Sequence, residues 1–275
     1  MTRRQPHHLG ALVSLPRYVR LAAELSVLTS SLRDKLALAR FAISIPVAQA
    51  LRGRRPRPAT FRLGEGSRIT VADRTELLAM RDVLLNEEYA IELDRPPKVI
   101  VDAGANVGLA SIFFSALWPE ARIVAVEADP STFRRLKENT ASLRNVEVVN
   151  RAIAARDGEV VFYSAPRTVS SSLVRRSPDQ RPVRVMGATL TSLMHDLGID
   201  VIDLLKLDIE GGEFEALEAF SPHLSRLRTV IVEVHGDLQP PGTRAIVDIL
   251  QGFECKTQWS LPPGRTLIHA KVIPA

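Results

Sequence analysis

Val99-Ile-Val-Asp-Ala-Gly-Ala-Asn-Val-Gly108 is the stretch on which the fold turns. An apolar strand, Lys98 to Val101, closes on Asp102, and glycines follow at 104 and 108. An apolar helix is expected from Leu109 to Leu117, stopped near Pro119. Gly104 and Gly108 let the main chain turn sharply and approach a ligand closely, and the helix start offers N–H groups without intrahelical partners. In open α/β sheets the crevice beyond such a strand end is the usual ligand site.

The residues narrow the ligand. A dinucleotide fingerprint needs glycine at its second and third positions, which here are Asn106 and Leu109. Asp102 adds negative charge, a poor neighbour for a pyrophosphate. A ligand with a cationic amino group and no phosphate fits better, and S-adenosylmethionine has both properties. Glu127 ends the next strand, Ile123 to Val126, where an acid can accept both ribose hydroxyl protons. That position would serve NAD equally well.

Outward from this turn, strand-like and helix-like runs alternate. A helix is expected over Ser131 to Leu143, a strand over Val146 to Val149, and a β excursion over Gly158 to Tyr163. A Ser/Arg-rich loop, Arg167 to Arg181, comes next. Beyond it lie a helix (Thr191 to Leu197), a strand (Ile202 to Leu207), a helix (Glu213 to Phe220), a strand (Thr229 to Val234) and a helix (Ala245 to Gln251). Two β runs close the chain. Such alternation predicts an α/β fold: a Rossmann-like, mostly parallel sheet with helices on both faces.

Of 275 residues, 45% are hydrophobic and 24% charged, which excludes a disordered or fibrous chain for most of the length. The single Cys255 excludes an intramolecular disulfide framework and a multi-cysteine zinc cage. The net charge of +5 is unevenly spread: up to Arg62 there are 12 Lys/Arg against two acids, Glu24 and Asp34. A basic, partly helical N-terminal extension is therefore expected over residues 1–58, with Leu21, Leu25, Leu28, Leu32 and Leu36 forming one helical stripe. The Pro/Arg-rich Arg52 to Pro58 acts as linker, and the main domain is expected over 59–275. Arg17, Arg20 and Glu24 interrupt any secretory core. The longest apolar run, Phe41 to Leu51, is too short to span a bilayer and contains Pro46. A cytoplasmic location is expected, with contact to an anionic surface open to the basic arm; no specific nucleic-acid partner is predicted.

The acceptor side is read from two strand ends. Lys206 and Asp208 share one strand face, and burying both is costly unless they pair or sit at an edge. Asp208 is therefore expected to point into the crevice. Glu233 and His235 share a face of the next strand, and histidine is the commonest general base near neutral pH. Glu210 and Glu213 are read chiefly as acids at a helix start. Asp208, Glu233 and His235 could together hold a divalent metal, but an imidazole-containing set suits Mg or Mn less than oxygen alone does, so no metal is assigned.

These motifs resemble the FkbM family of class I S-adenosylmethionine-dependent methyltransferases. The resemblance covers roughly Tyr89 to His235. It rests chiefly on VIVDAGANVGLAS (Val99 to Ser111) and LLKLDIEGGE (Leu204 to Glu213), with AVEADP, NRAI, SSSL and VEVH in support. It implies a seven-stranded sheet. It also implies that Asp102, Gly104, Asn106 and Gly108 hold the methionine part of the cofactor and Glu127 its ribose. Asn150 and Ala152 border the adenine, and Tyr89 lies near the cofactor. Asp208, Glu233 and His235 are then the catalytic candidates, with Asp208 or His235 as proton acceptor. The expected reaction is O-methylation of a hydroxyl on a sugar, lipid-linked glycan or secondary metabolite. No Pro pair is followed by an aromatic, so methylation of a base amine is not expected. The Arg167 to Arg181 loop, rich in hydroxyls and guanidinium groups, is expected to suit a sugar or an anionic acceptor. A nicotinamide oxidoreductase and a non-catalytic module whose arm binds RNA or membrane are the rival readings.

Overall fold

The computed structural model describes residues 15–51, 56–64, 66–164, 178, 180–235, 242–260 and 265–273. It divides into two compact units, Met1–Glu88 and Tyr89–Ala275.

The first unit holds α1 (Leu15–Leu25), α2 (Leu32–Ala50), the hairpin β1 (Ala59–Leu63) and β2 (Ser67–Val71), and α3 (Arg74–Leu84). The leucine stripe read from the sequence as one helix is broken. A 3₁₀ turn, Ser26–Leu28, ends α1, and Ser31 restarts the chain as the N-cap of α2, accepting from Asp34 N at 3.0 Å. The break splits the stripe: Leu25 is fully buried, whereas Leu32 and Leu36 are exposed. The hairpin joins this unit instead of opening the larger one. Phe61 packs edge-on against Phe41 at 6.2 Å, and Arg62 N donates to Asp34 Oδ1. The units thus part at Glu88–Tyr89, well beyond the linker at which the sequence places the boundary.

The second unit is built on a seven-stranded sheet. Its strands are β3 (Val99–Ala103), β4 (Arg122–Val126), β5 (Val146–Val149), β9 (Ile202–Leu207), β10 (Leu227–His235), β11 (Phe253–Ser260) and β12 (Arg265–Val272). Their order is β11-β12-β10-β9-β3-β4-β5, parallel from β10 to β5, with β12 antiparallel to both its neighbours. A separate three-stranded sheet joins β6 (Ala152–Ile153), β7 (Gly158–Ser164) and β8 (Arg181–Ala188). The strand over Arg181–Ala188 escapes sequence reading because turn-forming Pro182 and Gly187 interrupt its apolar pattern. The expected loop at Arg167 to Arg181 lies outside the described residues, except for Arg181 itself and the preceding Gln180 and Pro178.

Alternation along the parallel strands sorts the side chains. Val101, Ala103, Val124, Val126, Leu205, Leu207, Val230 and Val232 share one core. They pack with Leu193 and Met194 of α6 (Leu190–Asp196), Leu217 and Phe220 of α7 (Glu213–Phe220) and Ile246 of α8 (Gly242–Ile249). The opposite face carries Ala125 against Leu136 of α5 (Pro130–Thr140). Helices therefore cover both faces, and the polar Asp102 and Lys206 lie on the second. Among the described residues, no helix is long and apolar enough to cross a membrane.

Candidate active site

The chain runs from β3 outward to β4 and β5, then returns to the other side of β3 as β9. The carboxyl ends of β3 and β9 are thus a topological switch point, where the two loops diverge and leave a crevice. Register places Asp102 directly beside Lys206 and Lys206 beside Ile231. With a period of two, Asp208 continues the same face just past β9, and Glu233 and His235 continue it along the last residues of β10.

Lys206 is the hub. It is buried, and its Nζ reaches Asp102 Oδ1 at 3.1 Å, Asp208 Oδ2 at 3.2 Å and the Gly104 carbonyl at 2.9 Å. Burial opposes its charge, but Asp102, Asp208 and Glu233 outweigh it and raise its pKa above the usual lysine value. The ring of Tyr89 lies 5.3 Å from Nζ. Asp102 is wholly buried, its other oxygen accepting from Ser111 Oγ at 2.7 Å. The carboxylate assigned from the sequence to a cofactor is thus turned inward, where it anchors the lysine and the first turn of α4 (Leu109–Leu117).

His235 is wedged among carboxylates. Its Nδ1 lies 3.1 Å from Glu213 Oε1 and its Nε2 3.1 Å from Glu233 Oε1, with Glu210 Oε2 and Asp208 Oδ1 at 3.6 and 3.7 Å. A neutral imidazole has one N–H, yet both ring nitrogens here face carboxylate oxygens, so the arrangement calls for imidazolium. Burial opposes that charge, but the hydrogen bonds to Glu213 and Glu233 and the nearby Asp208 and Glu210 overcome it, and the pKa is pushed up to about 11. Tyr89 Oη completes the ring by donating to Glu233 Oε2 at 2.9 Å; it also lies 3.5 Å from Asp208 Oδ2. Asp208, Glu233 and His235 each offer a ligand atom within 4.8 Å of the others. His235 could serve a metal only after losing its proton.

On the other side of β3, Glu127 is buried and clamped by two main-chain donors, Asn106 N at 2.9 Å and Asp129 N at 2.8 Å. Burial is the larger influence and lifts its carboxyl to about 7 against those two hydrogen bonds. Asn150 Nδ2 donates to the Glu127 carbonyl at 2.7 Å and so braces this turn. Ala152 is buried in the small sheet with Phe162 and Val185. Asn106 sits at φ 50°, and among the described residues its buried side-chain oxygen has no hydrogen-bond partner. A buried amide oxygen left unbonded costs free energy, so its persistence at a ligand crevice fits a group that donates to it.

The turn glycines answer first to protein atoms. A Cβ on Gly104 would stand 1.7 Å from the Asp208 carbonyl oxygen, and one on Gly108 2.9 Å from Leu136 Cδ1. Gly104→Ala is therefore expected to force β3 and β9 apart at the crevice. Its positive φ adds strain of about 1–3 kcal/mol. Thermal melts should show a loss of at least that size; an unshifted melt would mean the turn relaxes freely.

Two residues of this constellation are not legible from the sequence in their present roles. Glu213, read chiefly as a helix-start acid, is buried and accepts from Gly211 N and Ile209 N as well as facing His235. Lys206 reads in the sequence only as a charge needing a partner. Glu210 holds an uncommon φ of 60°, which turns the chain after Asp208.

The family model for the methyltransferase FkbM domain matches residues 102–255, more than half the chain. The chain belongs to the FkbM methyltransferase family. Among the curated relatives of this FkbM chain is the 2-O-methyltransferase NoeI of Sinorhizobium fredii, 26% identical over 61% of this chain and 76% of that protein. Another is the hexuronic acid methyltransferase AglP of Haloferax volcanii, 25% identical over 76% of this chain and 82% of that protein. Among solved structures, the methyltransferase FkbM from Methylobacillus flagellatus aligns with a TM-score of 0.46 and 14% identity, covering 97% of this chain and 61% of that one. The membership decides against the nicotinamide reading, in line with Asn106 and Leu109 at the positions where a dinucleotide turn has glycine.

Proposed function

We propose that this chain transfers the methyl group of S-adenosylmethionine to a hydroxyl oxygen, most plainly that of a sugar. The single observation that carries the reading is the crevice at the β3–β9 switch point. It sets an unbonded Asn106 oxygen and Glu127 on one side and Asp208, backed by Lys206 and His235, on the other. Among the described residues, five carboxylates (Asp102, Asp208, Glu210, Glu213 and Glu233) gather around two cations, Lys206 and His235. That excess of negative charge favours a cationic ligand over a phosphate. The name of NoeI, a 2-O-methyltransferase, supports transfer to oxygen, and that of AglP, a hexuronic acid methyltransferase, supports a saccharide acceptor.

Asn106 and Glu127 would hold the cofactor, which supplies an electrophilic methyl on a sulfonium sulfur. The residues of the chain orient the acceptor and receive its proton. Asp208 and Glu210 keep 20% and 19% of their side chains exposed, whereas Glu233 and Glu213 are nearly enclosed. Of the two exposed acids, Asp208 is the one that continues the strand face of Lys206 and meets its Nζ at 3.2 Å. Asp208 is thus the carboxylate that meets the acceptor. In the transfer, the sulfonium of the bound cofactor would supply the methyl group and keep the electron pair of the broken S–C bond, and Asp208 would receive the proton that the acceptor hydroxyl gives up. His235, already protonated, does not compete as base. It fixes Asp208 and Glu233, and Tyr89 fixes Glu233 from the other side; His235, Glu233 and Tyr89 are positioning residues.

The test is a radiolabelled methyl-transfer screen against glycans and hydroxylated metabolites, with and without EDTA, beside calorimetric titration with S-adenosylhomocysteine and NADH. Binding of the former alone, and transfer indifferent to EDTA, is expected; absence of adenosyl binding would end the proposal. Glu127 adds a pH signature. Between the ordinary carboxylate range and about 7 the folded protein holds a proton on Glu127 that the unfolded chain has released, so its contribution to stability falls as pH rises through that window. Ribose hydroxyls need the ionised carboxylate as acceptor, so binding expels this proton. Affinity for S-adenosylhomocysteine should be about tenfold weaker at pH 6 than at pH 8. Glu127→Gln should bind more weakly and lose the pH dependence; an equally steep profile in that variant would remove Glu127 from the ribose site.

A further inference from the structure

We propose that the outer face of α2 lies flat on an anionic lipid bilayer. This 19-residue helix, about 28 Å long at 1.5 Å per residue, has two apolar sides. One is filled by its own unit: Leu38, Phe41, Ala42 and Ile45 are buried. The other is bare. Leu32, Leu36, Ile43 and Val47 are 73, 53, 40 and 40% exposed. At 100° per residue these four fall within an arc of about 60°, opposite the buried set. A run of large aliphatic side chains facing water along four turns costs free energy unless something covers it.

The charges at its margins identify the cover. Exposed Arg33 and Arg40 border the stripe on one side and exposed Lys35 on the other. The one acid of the helix, Asp34, is turned to the inner side, engaged by Ser31 and by Arg62 N. An apolar strip edged by long cationic side chains is the pattern of a helix lying in the bilayer interface, where the aliphatic stems sink and the charged heads meet lipid phosphates. The surrounding sequence reinforces the sign, with 12 Lys/Arg against two acids up to Arg62. A nucleic acid would satisfy the cations and leave the aliphatic stripe uncovered. A second copy of the chain would bring two basic margins together. An anionic bilayer satisfies both features, and the helix is not long and apolar enough to cross it. None of these observations draws on the chemistry assigned to the crevice.

The full chain should be sedimented with vesicles of phosphatidylcholine alone and of phosphatidylcholine with phosphatidylglycerol. Binding to the mixed vesicles, weakened by high salt, is expected. Ile43→Asp/Val47→Asp and, separately, Arg33→Gln/Lys35→Gln/Arg40→Gln should each lower partitioning on the order of tenfold or more. Melting temperature and S-adenosylhomocysteine affinity should stay at wild-type values, because side chains that are already exposed add little to packing. Should the aspartate variant fail to fold, the glutamine variant, which touches only exposed cations, decides the matter. Equal partitioning of the glutamine variant, or no vesicle binding by the wild type, would overturn the proposal. So would a dimer in light scattering that the aspartate variant dissolves, or RNA binding that persists while vesicle binding is absent.

Discussion

Asp208→Ala is expected to lower methyl transfer by about 10²–10⁴-fold, the usual worth of a positioned proton acceptor, while S-adenosylhomocysteine affinity stays within about threefold of wild type. The split comes from where Asp208 stands. Its Cα lies just beyond β9, and its carboxylate faces Lys206 Nζ at 3.2 Å and His235 Nε2 at 3.7 Å. The groups suited to an adenosyl ligand, Asn106 and Glu127, line the β3–β4 side, where Glu127 is held by main-chain donors and not by Asp208. Loss of the side chain should therefore fall on kcat, with cofactor binding spared. Isothermal titration and single-turnover kinetics measure the two separately. Near wild-type turnover would remove Asp208 from the proton-acceptor role, and a collapse of cofactor affinity would relocate it to the binding loop. Asp208→Asn sharpens the result, because it keeps the volume but cannot take a proton.

Lys206→Met should cost about 3–5 kcal/mol of stability, the penalty for leaving a buried charge without its partner. Asp102 has no exposure to water, and with Lys206 gone Ser111 Oγ would be the one side-chain partner left to its carboxylate among the described residues. Methionine fills much of the lysine stem's volume, so the loss reflects charge and not a cavity. For a unit of this size each kcal/mol moves the melting temperature by roughly 2–4 °C, giving a fall of about 6–20 °C. Adding Asp102→Asn should restore part of it, since the amide removes the stranded charge, and the double-mutant cycle reports the coupling. A single variant melting within a degree or two of wild type would show that the pair stabilises nothing. The same lysine bonds the Gly104 carbonyl and Asp208, so the single variant should also loosen both sides of the crevice and lower turnover beyond its effect on folding.

The parallel strands and their helices were legible because each is a short apolar run closed by a turn residue, and burial on both faces leaves few polar residues to confuse the pattern. Helix Leu109–Leu117 and strands Val146–Val149 and Ile202–Leu207 begin and end where the residues place them. The first unit was less legible. Apolar residues at steps of three and four run straight across Thr29 and Ser30, and only the capping of α2 by Ser31 shows that two helices meet there. The hairpin Ala59–Val71 comes after a linker-like segment, so sequence alone assigns it to the larger domain, yet Phe61 binds it to Phe41.

At the crevice, residue type and chain position alone singled out Asp208, Glu127, Glu233 and His235, because acids and histidine at strand ends are costly anywhere except at an edge. What each does depended on neighbours far away in sequence. Asp102 looked like a ligand residue until Lys206 and Ser111 were found to take both its oxygens. His235 looked like a base until Glu213 and Glu233 were found on its two nitrogens. Tyr89, placed by resemblance near the cofactor, hydrogen-bonds to Glu233, 144 residues away. Composition and periodicity are local and settle which segments form the sheet and which strand ends carry polar groups. Protonation and hydrogen-bond partnership depend on Coulombic contacts of a few ångströms between distant segments, and these exist only once β3, β9 and β10 are aligned in register.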